Sequence, residues 1–280
     1  MKKILVPTDF SVNSKKGIRF AIHWASRQKL ELVFIHLLHM LRPANWTDPY
    51  IAKNAEEEEK LCRTKFEIFV AGMYRYLNMK PGKYSIVIVQ GISADTGIMD
   101  YCRKNKDIDY ICISTHGAGK FNRIFGTNTG NLITKSEVPV LAIPKTYRVA
   151  DIKNVLYASD LSNYEEELKK VVDFAMPLKA SIDVLHFTWP DEITAEKKIA
   201  SALKQQYKYG LQIHLEKNDA LHSLIQNLQN QIRIWKPSVV IMFTNQDRTF
   251  FQKLFLSSKA EEFSFQARVP LLVFNKRQSK

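Results

Sequence analysis

Apolar residues follow two alternating rhythms along this chain. Short runs such as Ile4-Leu5-Val6, Leu32–Ile35 and Ile108–Ile113 are separated by stretches with apolar positions three and four apart, as in Ile18, Ala21, Ile22 and Ala25. The first rhythm marks buried strands and the second marks helices with one apolar face. The pattern predicts strands at 2–7, 31–36, 83–89, 109–114 and 139–143. Between them it predicts helices at 12–28, 53–78, 93–105 and 127–136. The central strand runs are apolar almost without interruption, as expected where helices cover both faces of a parallel sheet. Strictly alternating strands and helices imply an α/β, doubly wound, Rossmann-like parallel sheet.

The whole pattern then repeats. Lys3-Ile4-Leu5-Val6-Pro7-Thr8-Asp9-Phe10-Ser11 returns as Lys153-Asn154-Val155-Leu156-Tyr157-Ala158-Ser159-Asp160-Leu161-Ser162, with a shared apolar strand ending in Asp-x-Ser. The helical face returns as Leu168, Val171, Val172 and Ala175, and the strand ending in His36 returns ending in His186. Each half closes on a Val-Pro strand, at Val138–Ile143 and Val269–Phe274. Two tandem domains follow, 1–148 and 149–280, joined near Tyr147–Asp151. The closing strands are apolar, β-branched and last in their repeats, so each is expected at a sheet edge. Bare apolar edges invite pairing. The two halves are therefore expected to pack as an intrachain pseudo-dimer, with further homodimerisation open.

Composition adds limits rather than detail. Hydrophobic residues at 45% and charged residues at 25% are ordinary globular values and exclude a disordered chain. No apolar run approaches the roughly 18 residues of a membrane helix. The apolar stretch after Met1 stops at Pro7, too soon for a signal sequence. Three scattered cysteines argue against a disulfide scaffold or a zinc site. A cytoplasmic protein without a membrane partner is expected.

The net charge of +13 is unevenly shared. Residues 1–148 hold 23 Lys/Arg against 13 Asp/Glu, a net +10, and the remainder holds 18 against 15, a net +3. Such asymmetry implies that the first half meets an anion the second does not. There is no basic helix and no interleaving of aromatic with basic residues, so nucleic acid is not the expected partner.

The candidate chemistry follows the strand at 109–114, where the chain reads Ser114-Thr115-His116-Gly117-Ala118-Gly119-Lys120 and, further on, Gly126-Thr127-Asn128-Thr129. Gly117 and Gly119 let backbone amides approach a ligand with no Cβ between. Gly126 opens a helix whose first N–H groups and hydroxyls face an anion favourably. The alternative reading is a glycine-containing turn with a Thr/Asn cap. The loop is not a P-loop, since G-x-x-x-x-G-K-[ST] is absent. It is not a dinucleotide fingerprint either, because the glycines do not follow the first strand. Asp9 ends the first strand and is placed either to accept bonds from a ligand or, with Ser11, to cap the next helix. Its persistence as Asp160, where the loop is lost, favours the structural role.

On these residues (Lys3–Ser11, His36, and Ser114–Gly130 followed by Val138–Pro144) the chain resembles a tandem universal stress protein over essentially its full length. Nucleotide-binding members of that family use a G-x2-G-x9-G-[ST] loop. Here Ser114 replaces the first glycine, Gly117 matches the second, and Gly126-Thr127 match the last pair at a spacing one residue short. The resemblance implies a stress-response regulator or sensor that binds an adenine nucleotide, ATP or AMP with or without Mg, and acts on a protein partner. It implies that Pro7, Thr8 and Asp9 line the adenosine end and that Leu37 gives backbone contacts to the base. Ser114, Gly117 and Gly119 would flank the phosphates, which Gly126, Thr127, Asn128 and Thr129 would meet.

In the second half Arg248, Phe250 and Ser257 align with Gly117, Gly119 and Gly126, so side chains stand where backbone met phosphate. One competent site per chain is expected, beside a degenerate repeat that either closes its crevice with Phe250, Phe251 and Phe255 or holds an apolar ligand. No catalytic residue and no metal site are expected, since Asp9 and His116 have no evident orienting partner for a hydrolytic water. The rival readings are a slow ATPase and a scaffold that binds no nucleotide.

Overall fold

The fold is taken from a computed structural model. It describes residues 1–39, 48–115, 127–188, 209–217, 224–244 and 269–275, with positions 198, 200, 201, 203 and 207. The chain divides into two compact units, Met1–Val149 and Ala150–Lys280.

In the first unit the elements run β1 (Lys3–Pro7), α1 (Lys15–Arg27), β2 (Glu31–Leu38), α2 (Asp48–Tyr76), β3 (Tyr84–Gln90), α3 (Ala94–Lys104), β4 (Ile108–Ser114), α4 (Thr127–Lys135) and β5 (Val140–Ile143). The strand order is β3-β2-β1-β4-β5, and every pair is parallel. The apolar runs are buried as their continuity requires, with Ile4, Leu5, Val6 and Ile111 fully enclosed. Helix α1 places Ile18, Phe20, Ala21 and Ile22 on the sheet. The order reverses between β1 and β4, and in such sheets the crevice for ligands opens at the carboxyl ends of the two strands flanking that point.

The second unit repeats the plan with β6 (Asn154–Ala158), α5 (Tyr164–Ala175), a 3₁₀ turn at Met176–Leu178, β7 (Ser181–Thr188), β8 (Leu211–Lys217), α6 (Leu224–Trp235), β9 (Val239–Thr244) and β10 (Leu271–Asn275). Its order is β8-β7-β6-β9-β10, again parallel throughout. Both units are thus the doubly wound α/β sheets that the alternation predicts.

Most boundaries shift by one or two residues from the sequence reading, and the starts of two helices by more. Helix α1 starts at Lys15 rather than residue 12, because Ser11–Ser14 form a turn in which the Ser14 N–H donates to Ser11 Oγ at 3.1 Å. Helix α2 begins at Asp48 instead of 53, and β2 continues two residues past His36 to Leu38.

Candidate functional site

The crevice at the switch point is built by a turn that the two repeats share. After β1 the Thr8 hydroxyl accepts the Phe10 N–H at 3.1 Å, and the Asp9 carboxylate accepts the Ser11 N–H at 3.0 Å. In the second unit Ser159 accepts from the Leu161 N–H at 3.0 Å, and Asp160 from the Ser162 N–H at 2.9 Å. Phe10 and Leu161 sit at φ 60° and 58°. This left-handed backbone costs a non-glycine residue roughly 1–2 kcal/mol. The two side-chain bonds hold it in place. Asp9 is therefore a turn former in both repeats. It does not cap α1, whose N-cap is Ser14.

A strand-ending histidine locks each turn from the neighbouring strand. His36 Nδ1 lies 2.8 Å from the Thr8 carbonyl, and His186 Nδ1 lies 2.9 Å from the Ser159 carbonyl. A carbonyl only accepts, so each Nδ1 carries the hydrogen. The His36 ring lies 4.3 Å from Phe10, with Phe66 beyond, and this burial pushes its pKa below 6.5 against the raising effect of the Thr8 bond. The folded state therefore prefers the neutral ring. The unfolded chain binds more protons once the pH falls below about 6.5, so the His36 contribution is complete above that value and is lost on acidification. His36→Asn should flatten the loss of stability below pH 6.5 in urea titrations at stepped pH. An unchanged slope would show that other groups cause it.

A chain of hydroxyls joins β1, α1, β4 and α4. Ser14 donates to the Ser11 carbonyl at 2.9 Å, which leaves Thr8 as the donor in the 2.9 Å bond between the Thr8 and Ser14 hydroxyls. Ser114 Oγ donates to the Ser14 carbonyl at 3.2 Å and accepts the Gly17 N–H at 2.8 Å. Thr129, at the start of α4, donates to the Ser114 carbonyl at 3.0 Å. Gly17 makes this possible: a Cβ there would stand 3.0 Å from both the Ser114 nitrogen and its Oγ. Nearby, Asp95 on α3 accepts from Asn131 Nδ2 on α4 at 2.6 Å. That bond and the other hydrogen bonds to Asp95 hold its pKa low, although burial alone would raise it.

The structure thus brings Pro7, Thr8, Asp9, Ser114, Asn128 and Thr129 to one end of the sheet. Thr8, Ser114 and Thr129 are buried, whereas Asp9 and Asn128 are exposed. Leu37 stands one strand away at the end of β2, with its side chain packed beside Gly91 and Gly97. Thr127 opens α4. Gly117, Gly119 and Gly126 lie outside the described residues, as do Arg248, Phe250 and Ser257. Sequence reasoning missed Ser14 and Gly17, whose parts depend on β4, almost 100 residues on. The shared Asp-x-Ser turn was the one signal that this corner is a built unit.

Compared with family models, residues 1–144 match the universal stress protein family. The chain belongs to that family. Among solved structures, a universal stress protein from Archaeoglobus fulgidus DSM 4304 superposes with a TM-score of 0.69 at 17% identity, covering 99% of this chain and 97% of that one. A putative universal stress protein from Pseudomonas aeruginosa UCBPP-PA14 gives 0.60 at 14% identity, covering 98% and 93%. The cytoplasmic domain of a prokaryotic cation chloride cotransporter gives 0.52 at 10% identity, covering 97% and 94%. No curated protein matches the chain. At these identities the structural likeness establishes the universal stress fold, and a fold that also serves a transporter domain does not fix a function. Among the described residues of this family member, no helix is long and apolar enough to cross a membrane.

Proposed function

We propose that this universal stress protein is a nucleotide-binding regulator with one adenine-nucleotide site, in its first unit. The observation that carries the reading is the convergence of the β1 turn, the end of β4 and the amino end of α4 at the switch point. The first amides of α4 have no carbonyl partner in their own helix, and their dipole favours an anion. Asn128 belongs to the first turn of α4 and is exposed, as is Asp9 after β1. Because Thr8, Ser114 and Thr129 commit their hydroxyls to the frame, the phosphates would meet backbone N–H groups and Asn128. The ribose would meet the Asp9 carboxylate, whose Oδ1 also holds its turn. The residues present fit a bound nucleotide on these terms, and Gly117, Gly119 and Gly126 would complete the cradle.

The chain is expected to hold nucleotide rather than turn it over. In-line attack on a phosphoryl group needs an oriented water. Asp9 is engaged by its own turn, and His36 donates its Nδ1 hydrogen to Thr8. Steady-state phosphate release should stay below about 1 per second, the low end of ordinary enzyme rates. Calorimetry of the full chain should give one equivalent of ATP or AMP. Gly126→Val should weaken binding by at least about 1.4 kcal/mol, a factor of ten. A second reading, a scaffold without nucleotide, draws on the same three committed hydroxyls. Native mass spectrometry of the freshly purified protein separates the two, because a nucleotide-free chain that gives no calorimetric heat is the scaffold.

A further inference from the structure

In the first unit β3 ends the strand order, two strands from β1. Among the described residues β3 has one ladder partner, β2. At its two ends the Lys83 carbonyl and the Gly91 N–H bond to β2, through Leu32 N and Leu38 O. Backbone groups alternate along a strand. The odd-numbered residues between them therefore face β2, and Tyr84, Ile86, Ile88 and Gln90 direct their N–H and C=O groups outward. Arg63 of α2 confirms the direction, since its Nη1 reaches the outer carbonyl of Ile86 at 3.4 Å.

That edge forms the floor of an open groove whose wall is α2, lined by Arg63, Glu67, Ile68, Ala71, Tyr84 and Ile86. Ile68 is 69% exposed, on a helix that buries Phe66, Val70 and Met73 on its other side. The Tyr84 ring packs on Phe34 and Tyr74, so the even-numbered side chains of β3 share the α2 face. An extended chain laid along β3 would pair with the outward amides. Its alternate side chains would then rest on Ile68 and Ala71, the arrangement by which sheets capture peptides.

Charge selects the occupant. Arg63 holds the Ile86 carbonyl only at 3.4 Å and shares its guanidinium with Glu59 at 3.3 Å, both in partly exposed positions. An incoming N–H would replace it at Ile86 and free the guanidinium for a carboxylate, its stronger, bidentate partner. Lys80 precedes the strand, Lys83 is already paired with Glu31 at 2.8 Å, and Glu67 is the one acid on the lining, so the selecting charge is Arg63. A second copy fits less well. The fullest two-fold register, centred on Val87, would bring the two Arg63 side chains to the same stretch of the seam. We propose that the groove between β3 and α2 binds an extended segment of a partner protein, apolar at alternate positions and carrying a carboxylate opposite Arg63.

The test uses the full chain and the synthetic peptide acetyl-TVTETVT-amide, with chemical-shift mapping to locate and titrate binding. The shifts should centre on Tyr84, Ile86 and Ile88, and the peptide with lysine in place of glutamate should bind at least tenfold more weakly. Arg63→Glu should invert that preference. Ile86→Pro should remove binding while keeping the fold, since its N–H points away from β2 and proline is tolerated on an edge strand in that orientation. Equal binding of the two peptides, shifts elsewhere, or no binding by wild type at millimolar peptide would overturn the proposal. Self-association in sedimentation that Ile86→Pro abolishes would overturn it too, in favour of a second copy. None of these readouts involves nucleotide.

Discussion

Gly17→Ala will lower the stability of the protein, although the same exchange in an exposed helix raises it by roughly 1 kcal/mol. The new Cβ would stand 3.0 Å from the backbone nitrogen of Ser114 and 3.2 Å from the carbonyl carbon of Ile113. Neither atom can retreat, because β4 is pinned between β1 and β5. Gly17→Val adds two methyl groups to the same gap and should cost about 1–3 kcal/mol, the usual penalty of overpacking. Gly72 on α2 is the control. Nothing lies within 4 Å of a Cβ there, so Gly72→Ala should gain about 0.5–1 kcal/mol. Urea titration of the three variants checks this, and a stabilising Gly17→Ala would show that α1 is free to shift on the sheet.

Tyr157→Phe should produce a loss of similar size in the second unit. Where the first repeat has Val6 and Gly17, the second has Tyr157 and Glu167, both buried. The Tyr157 hydroxyl donates to the Glu167 carboxylate and accepts from Ser159 Oγ at 2.8 Å. Burial and the adjacent carboxylate push the phenol pKa far up, so the hydroxyl stays protonated as this donor. Phenylalanine keeps the shape and removes the donor from a buried acid, a change that costs about 1–3 kcal/mol or more for a charged group. Glu167→Gln in the same background should recover part of the loss, because an amide tolerates the missing donor better than a carboxylate does. A wild-type denaturation midpoint for Tyr157→Phe would mean that the Tyr157 bond adds nothing to stability.

Most strands and helices could be read from periodicity because burial on both faces leaves few choices for an apolar run. Ile4–Val6, Ile108–Ile113 and the helical face of Ile18, Ala21 and Ile22 all fall where their spacing places them. The turn after β1 misled at its far end. Ser11, Val12, Asn13 and Ser14 have nothing in their local spacing to forbid a helix, and it is the hydroxyl of Ser11 that diverts the backbone. The candidate site was legible as a region but not in its division of labour. The sequence names Thr8, Ser114 and Thr129 without their bonding partners: the Ser114 hydroxyl is committed to the Ser14 carbonyl, 100 residues back, Thr8 to the Ser14 hydroxyl and Thr129 to the Ser114 carbonyl. Tyr157 and Glu167 were invisible for the same reason, since only the packed unit brings a strand residue and a helix residue to one buried point.

The strand order also sets a timetable for synthesis. β1 is the first strand of its unit to be made, yet it lies between β2 and β4, with Lys3 beside Ile108. Its second flank can be covered only after roughly 100 more residues have left the ribosome, about 5–20 s at ordinary elongation rates. For that interval an apolar strand with one neighbour is open to mispairing. The second unit repeats the exposure, because β6 waits for β9. A slow stretch of translation placed after β5, rather than within either unit, would let one domain finish before the next strand of the same character appears.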